Sequence, residues 1–364
     1  MPNPVPRRIV TVALAAALAA PPFVHGSESV PAGQAAVQAR PADETARPRV
    51  YLFATGGTIS ARQGQRLTVE ELIGSIPDLS NYVRAEGEQF SNTSSSALTL
   101  EQWLDLSRRI NARFRGDSVL AGVVVTSGTD TLEELAYFLH LTIRDDRPVV
   151  VVGAMRNPST LGYEGAANLQ DAFRVAADPA SRGLGTLVVL NDEINSAREV
   201  TKTDALRLDT FTSRAYGLLG VADRDRVVYY RKPVKKHTAW SEFDVNAIET
   251  LPRVDVILTY QGASGDLIKA AVDAGAKGIV VAGAGAGATS GTQGEGLSYA
   301  TGKDVYVVTT SRSASGRVTG GGRGGNPYRI PGDDLQPLKA RILLMLALAT
   351  TSDPTEVRRI LGEY

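Results

Sequence analysis

The chain has 364 residues with 39 basic and 39 acidic side chains, so no net field favours nucleic acid or an anionic membrane. It has no cysteine, which excludes thiol nucleophiles, disulfides and cysteine-ligated metal sites. With only His25, His140 and His237 available, a serine–histidine–aspartate triad or a histidine-rich zinc site is a poor expectation.

The first 26 residues read as a signal peptide. Arg7 and Arg8 precede an unbroken small-apolar run, Ile9 to Ala20, too short for the roughly 20 apolar residues that span a bilayer. Val24 and Gly26 form a −3/−1 pair, so cleavage is expected near residue 26, with a periplasmic or secreted product. Residues 27–48 are rich in Ala, Pro, Gln and Glu without periodicity and read as a disordered spacer.

From Arg49 onward, apolar runs alternate with helical patterns, which predicts an α/β fold with a parallel sheet flanked by helices. Strands are expected at Val50–Ala54, Val123–Thr126, Val149–Gly153, Thr186–Asn191, Val254–Tyr260, Gly278–Val281 and Val305–Thr309. Helix starts are marked by capping-box spacing at Thr68/Glu71, Thr99/Gln102 and Thr131/Glu134, and by Asp353-Pro354-Thr355-Glu356. Leu132, Leu135, Ala136, Leu139 and Thr142 form one buried helical stripe. About 315 residues exceed what one core covers. Two domains are therefore expected, a larger one at 49–230 and a smaller one at 253–364, joined by a linker at 231–252.

Two segments carry the chemistry. Ala54-Thr55-Gly56-Gly57-Thr58-Ile59 and Thr126-Ser127-Gly128-Thr129-Asp130-Thr131 each place a threonine just past a strand, in a turn loosened by glycine. Ligands of open α/β sheets bind outside the carboxyl ends of the strands. The glycines match neither a phosphate loop nor a dinucleotide fingerprint. They let backbone approach a substrate and leave Thr58 exposed. Thr131 reads as a helix cap, and Asp130 as a second cap or as a carboxylate for a cationic group. Backbone amides at this bend can hold a carboxylate. Lys202, in Val200-Thr201-Lys202-Thr203, can take a threonine's proton if it is buried near Thr129 and Asp130.

Together these segments, with Val149–Arg156 and Lys339–Leu348, resemble the exported bacterial L-asparaginase and glutaminase-asparaginase family over about residues 49–364. The resemblance implies hydrolysis of a side-chain amide to a carboxylate and ammonia with no cofactor. It implies a larger flavodoxin-like N-terminal domain, a smaller C-terminal α/β domain, and a tetramer of two intimate dimers. It makes Thr58 the nucleophile of an acyl-enzyme, with Thr129, Asp130 and Lys202 as the second catalytic group, and leaves open which threonine attacks first. Gly57, Ser95, Ser96, Gly128 and Ala154 are the implied substrate-binding positions. Backbone amides near Thr58 and Thr129 would meet the oxyanion.

Departures from the family pattern share a direction. The segment Ala61–Arg66 is short and lacks a lid tyrosine, leaving Tyr163 or a neighbouring subunit to activate Thr58. Ser96 stands for a glutamine, Gly285-Ala286-Gly287-Ala288 lacks an asparagine, and Gly316–Gly325 contains no acid. Groups that grip a free α-ammonium are thinned, which predicts weak L-asparaginase activity with a relaxed or shifted substrate. The alternatives are an amidase acting on another small or N-blocked amide, and a non-catalytic periplasmic binding protein.

Overall fold

A computed structural model describes residues 47–320 and 325–364. The leader expected at 1–26 and nearly all of the spacer expected at 27–48 lie outside those residues.

Runs of valine dictate the centre of the molecule. Val123, Val124, Val125 and Val149–Val152 are at most 1% exposed. A strand that is apolar on both sides is stable only with both faces covered. These strands lie inside an eight-stranded sheet. Arg84–Thr93, Arg49–Gly56, Leu120–Thr126, Val149–Val152 and Thr186–Leu190 run parallel in that spatial order. Glu193–Ser196, Gly220–Ala222 and Val227–Tyr229 extend the far edge antiparallel. The parallel part has the 2-1-3-4-5 order of the flavodoxin-like class, as expected. Alternate residues of the first strand serve opposite faces: Tyr51 and Phe53 join one core, and Val50, Leu52 and Ala54 the other.

Four of these eight strands carry no strong apolar signal. Arg84–Thr93 is an edge strand paired only with Arg49–Gly56, so it buries little and its sequence is polar. The three antiparallel strands have three or four residues each, too short for a periodicity.

The helix starts mostly follow the capping signals. Thr68 with Glu71 and Thr99 with Gln102 form complete capping boxes, and Asp353 caps Thr355. Thr131 does not: its side chain caps nothing, and the Ser95 hydroxyl accepts from the Thr131 N–H at 3.3 Å instead. The helix Leu132–Thr142 also buries more than one stripe, because it packs against both the first sheet and the helix Pro337–Thr350.

The C-terminal part has a second, four-stranded parallel sheet, Val254–Leu258, Gly278–Gly283, Tyr306–Ser311 and Arg329–Pro331. It ends in the helices Pro337–Thr350 and Pro354–Glu363. Apolar residues from one face of each sheet form one continuous core around these helices. A buried ionic group crosses the same region. Arg198 holds Asp334 through two bonds of 2.7 and 2.8 Å and donates to the Tyr364 carbonyl at 3.0 Å. Burial pushes the Asp334 carboxyl up, but Arg198 outweighs it and holds that carboxyl well below the usual range.

His140 and His237 lie together in this core, ring centroids 5.0 Å apart, both 1% exposed. Burial lowers the basicity of both, aided at His140 by His237, Arg198 and Lys339, and takes His237 to about 4. Tyr137 stacks on His140, and Trp240 meets His237 edge-on. The folded values lie below the unfolded value of 6.5, so the unfolded chain binds protons first on acidification. Stability is therefore lost as pH falls from 6.5 through 4, by about 3 kcal/mol for His237 alone. Asp171 has the opposite sign: burial and Asp192 raise its carboxyl to about 7, so it gains stability over the same range. Urea midpoints of wild type and His237→Gln between pH 7 and 4 separate the two. The variant should show a clearly smaller acid loss, and equal losses would show that the histidine pair does not govern acid stability.

Candidate active site

The first strand has one neighbour that follows it directly, Arg84–Thr93, and one reached by crossing over, Leu120–Thr126. Its carboxyl end is therefore the topological switch point, where a crevice opens. The Thr58 and Thr129 loops and Ser95 all leave the sheet there.

Local chemistry joins these loops. The Thr55 hydroxyl donates to the Thr126 carbonyl at 2.6 Å, and the Thr55 N–H to the Thr126 hydroxyl at 3.2 Å. Gly57 sits at φ 82°, ψ −175°, a region essentially reserved for glycine. A Cβ on Gly57 would come within 2.2 Å of the Gly128 nitrogen, so only two bare backbones can meet there. Thr58 and Thr129 each follow one of these touching glycines. A Cβ on Gly128 would lie 2.9 Å from the Ser95 hydroxyl, which brings Ser95 to the same point. Gly153 packs on the Ser127 carbonyl and the Thr129 methyl, and the fully buried Ala154 follows it. Ser96 is exposed, its hydroxyl 3.4 Å from that of Ser94, and nothing ties it to the threonine loops.

Lys202 arrives from a two-stranded hairpin, Thr201–Lys202 with Phe211–Thr212. Its Nζ lies 3.0 Å from the Thr129 hydroxyl and 3.1 Å from Asp130 Oδ1. The lysine side chain is 16% exposed and that of Asp130 73%. The amine is thus sheltered, while the carboxylate faces open space with room for a second cation. The Thr58 hydroxyl makes no hydrogen bond among the described residues.

Sequence reasoning missed several groups that shape this site. Glu133 is buried and accepts from the Thr201 hydroxyl at 3.1 Å and the Lys202 N–H at 3.3 Å, which fixes the lysine's strand to the helix that begins beside Asp130. Glu164 accepts from the N–H groups of Met155 and Arg156, holding the loop after Ala154. Their partners are distant in sequence or in irregular loops, so no spacing announces them. Tyr163 is corrected: its hydroxyl donates to the Ile59 carbonyl at 2.8 Å, not to Thr58, and burial with the Glu164 charge pushes it up to about 12. It braces the turn and is no base. The segment Ala61–Arg66 is a tight hairpin, Ala61–Arg62 paired with Gln65–Arg66 around Gln63-Gly64.

Fold and site together define an α/β amidohydrolase that presents hydroxyls, a lysine and a carboxylate at a switch point. The family model for the asparaginase N-terminal region matches residues 49–235, and that for the glutaminase/asparaginase C-terminal domain matches 253–361. The chain belongs to the asparaginase family. It is 42% identical to L-asparaginase 2 of Bacillus subtilis, with 87% of each chain covered. It is 36% identical to the glutaminase-asparaginase of Pseudomonas fluorescens, covering 88% of this chain and 92% of that one. The crystal structure of a probable cytoplasmic L-asparaginase from Campylobacter jejuni superposes with a TM-score of 0.80 at 38% identity, covering 88% of this chain and all of that one.

Proposed function

We propose that this chain hydrolyses the side-chain amide of L-asparagine to L-aspartate and ammonia, with L-glutamine and other small amides as further substrates. The observation that carries the reading is the Lys202 amine within 3.1 Å of both the Thr129 hydroxyl and Asp130. A binding protein has no need of an amine sheltered against a hydroxyl.

In this mechanism the Thr58 oxygen attacks the amide carbon and its proton passes to the Thr129–Lys202 pair. The oxyanion is met by backbone N–H groups of the Thr58 and Thr129 turns. Its collapse breaks the C–N bond, and the departing amine leaves as ammonia with a proton from the Thr129–Lys202 pair. Water then attacks the ester and gives a proton to the same pair, which passes it to the Thr58 oxygen as the C–O bond breaks and the acid is released. Asp130 orients Lys202 and faces the substrate ammonium. Ser95, beside the start of the helix Leu132–Thr142, suits the substrate carboxylate. Ala154 offers its carbonyl to the amide N–H.

The exposed loop Gly285–Ala288 brings no polar side chain, which favours a loose hold on the α-ammonium and a broad substrate range. Steady-state ammonia release from L-asparagine, D-asparagine, L-glutamine and N-blocked amides tests this. Turnover of L-asparagine with a high KM, and measurable turnover of a blocked amide, is expected. A low-micromolar KM for L-asparagine alone would exclude the broad range, and no release from any amide would exclude the enzyme.

The same reading takes the product of export as the working form, after loss of residues 1–26, in the periplasm or outside the cell. It takes 49–230 as catalytic domain, 231–252 as linker and 253–364 as second domain. It assembles the chain as a tetramer of two intimate dimers. The exposed Leu258, Tyr260 and Leu267 offer apolar surface for such contacts.

A further inference from the structure

The Gly57 carbonyl takes three donors. Arg66 Nη1 lies at 2.7 Å, the Ser60 hydroxyl at 3.2 Å and the Ser60 N–H at 3.3 Å. The last two belong to the short turn that starts at Thr58. The first is a guanidinium brought back by the Ala61–Arg66 hairpin. Hydrogen bonds with a charged donor are the strong ones, so Arg66 dominates. It acts on a residue whose backbone conformation is costly for anything but glycine.

A planar trans peptide places its carbonyl and the following N–H on opposite sides. The Gly57 carbonyl faces Arg66, so the Thr58 N–H faces away from the hairpin. Among the described residues that N–H has no hydrogen-bond acceptor, as expected for the first amide of a helical turn. A cation on the carbonyl oxygen also polarises the peptide and strengthens its N–H as a donor.

We infer that Arg66 is a positioning residue for the hydrolysis, fixing and polarising the Gly57–Thr58 peptide so that the Thr58 N–H receives the oxyanion. This rests on the reading of Thr58 as nucleophile. Arg66 lies on the Gly57 carbonyl, on the side of the peptide away from the Thr58 N–H, so its effect falls on the transition state more than on binding.

Steady-state kinetics of Arg66→Ala, Arg66→Leu and wild type on L-asparagine, with and without millimolar guanidinium, test it. Both variants should keep the wild-type circular dichroism spectrum. For Arg66→Ala, kcat should fall about 10- to 100-fold with KM nearly unchanged. Guanidinium should restore part of that loss in Arg66→Ala, where the side chain leaves space, and none in Arg66→Leu, where the space is filled. A kcat within about twofold of wild type would overturn the inference, as would a loss confined to KM. A fall in kcat that guanidinium leaves untouched in Arg66→Ala overturns it too. Wild type that releases no ammonia sinks the proposed function itself, an outcome distinct from all of these.

Discussion

Thr58→Ala is expected to leave no more than about 10⁻⁴ of the wild-type rate of ammonia release. The hydroxyl lies at the switch point of the sheet, beyond a glycine pair that only glycine can form, and it makes no hydrogen bond among the described residues. A side chain so placed stabilises little, so the variant should fold and still bind substrate, as calorimetry would show. The loss should appear in kcat. A variant that keeps a tenth or more of the activity would move the nucleophile to Thr129, the other hydroxyl at this point.

Lys202→Met is expected to slow hydrolysis by about 10²–10⁴-fold, the usual worth of general acid–base catalysis. Methionine keeps the apolar stem of the lysine and removes the amine proposed to exchange protons with Thr129. The strand itself is held by Glu133, so its backbone stays where it is. Single-turnover rates at pH 8 check this. A fall of less than tenfold would mean that the amine is an ion-pair partner for Asp130 and not the proton carrier.

Burial alone does not identify that carrier. Lys339 is fully buried, which lowers it to about 8. Its Nζ, however, donates to the carbonyls of Arg198 and Val200, which cannot give up a proton. Lys339 instead braces, from the second domain's helix Pro337–Thr350, the segment that leads into Lys202. Position beside a hydroxyl, not burial, is what supports Lys202 as the proposed carrier.

Much of the fold was legible in the sequence because its central strands are buried on both faces and its helices carry local caps. Val123–Val125 and Val149–Val152 had no other stable place, and Thr68 and Thr99 cap as spaced. What stayed hidden depends on tertiary context. Arg84–Thr93 is a strand because Arg49–Gly56 offers it an edge, not because it is apolar. Thr131 has the residue type and spacing of a cap, yet Ser95, 36 positions earlier, supplies the oxygen. At the site, Thr58, Thr129, Asp130 and Lys202 were visible as motifs. Their supports, Glu133 and Arg66, were not, since a clamp across 68 residues or a hairpin arginine on a backbone carbonyl leaves no pattern.

The central claim is that Thr58 forms the acyl bond. The most direct measurement is mass spectrometry of peptides from wild-type protein acid-quenched within milliseconds of mixing with saturating L-asparagine, when the acyl-enzyme is at its highest level. The account predicts an aspartyl increment on the peptide containing Thr58. The same increment on the peptide containing Thr129, or turnover with no increment on either, would contradict it.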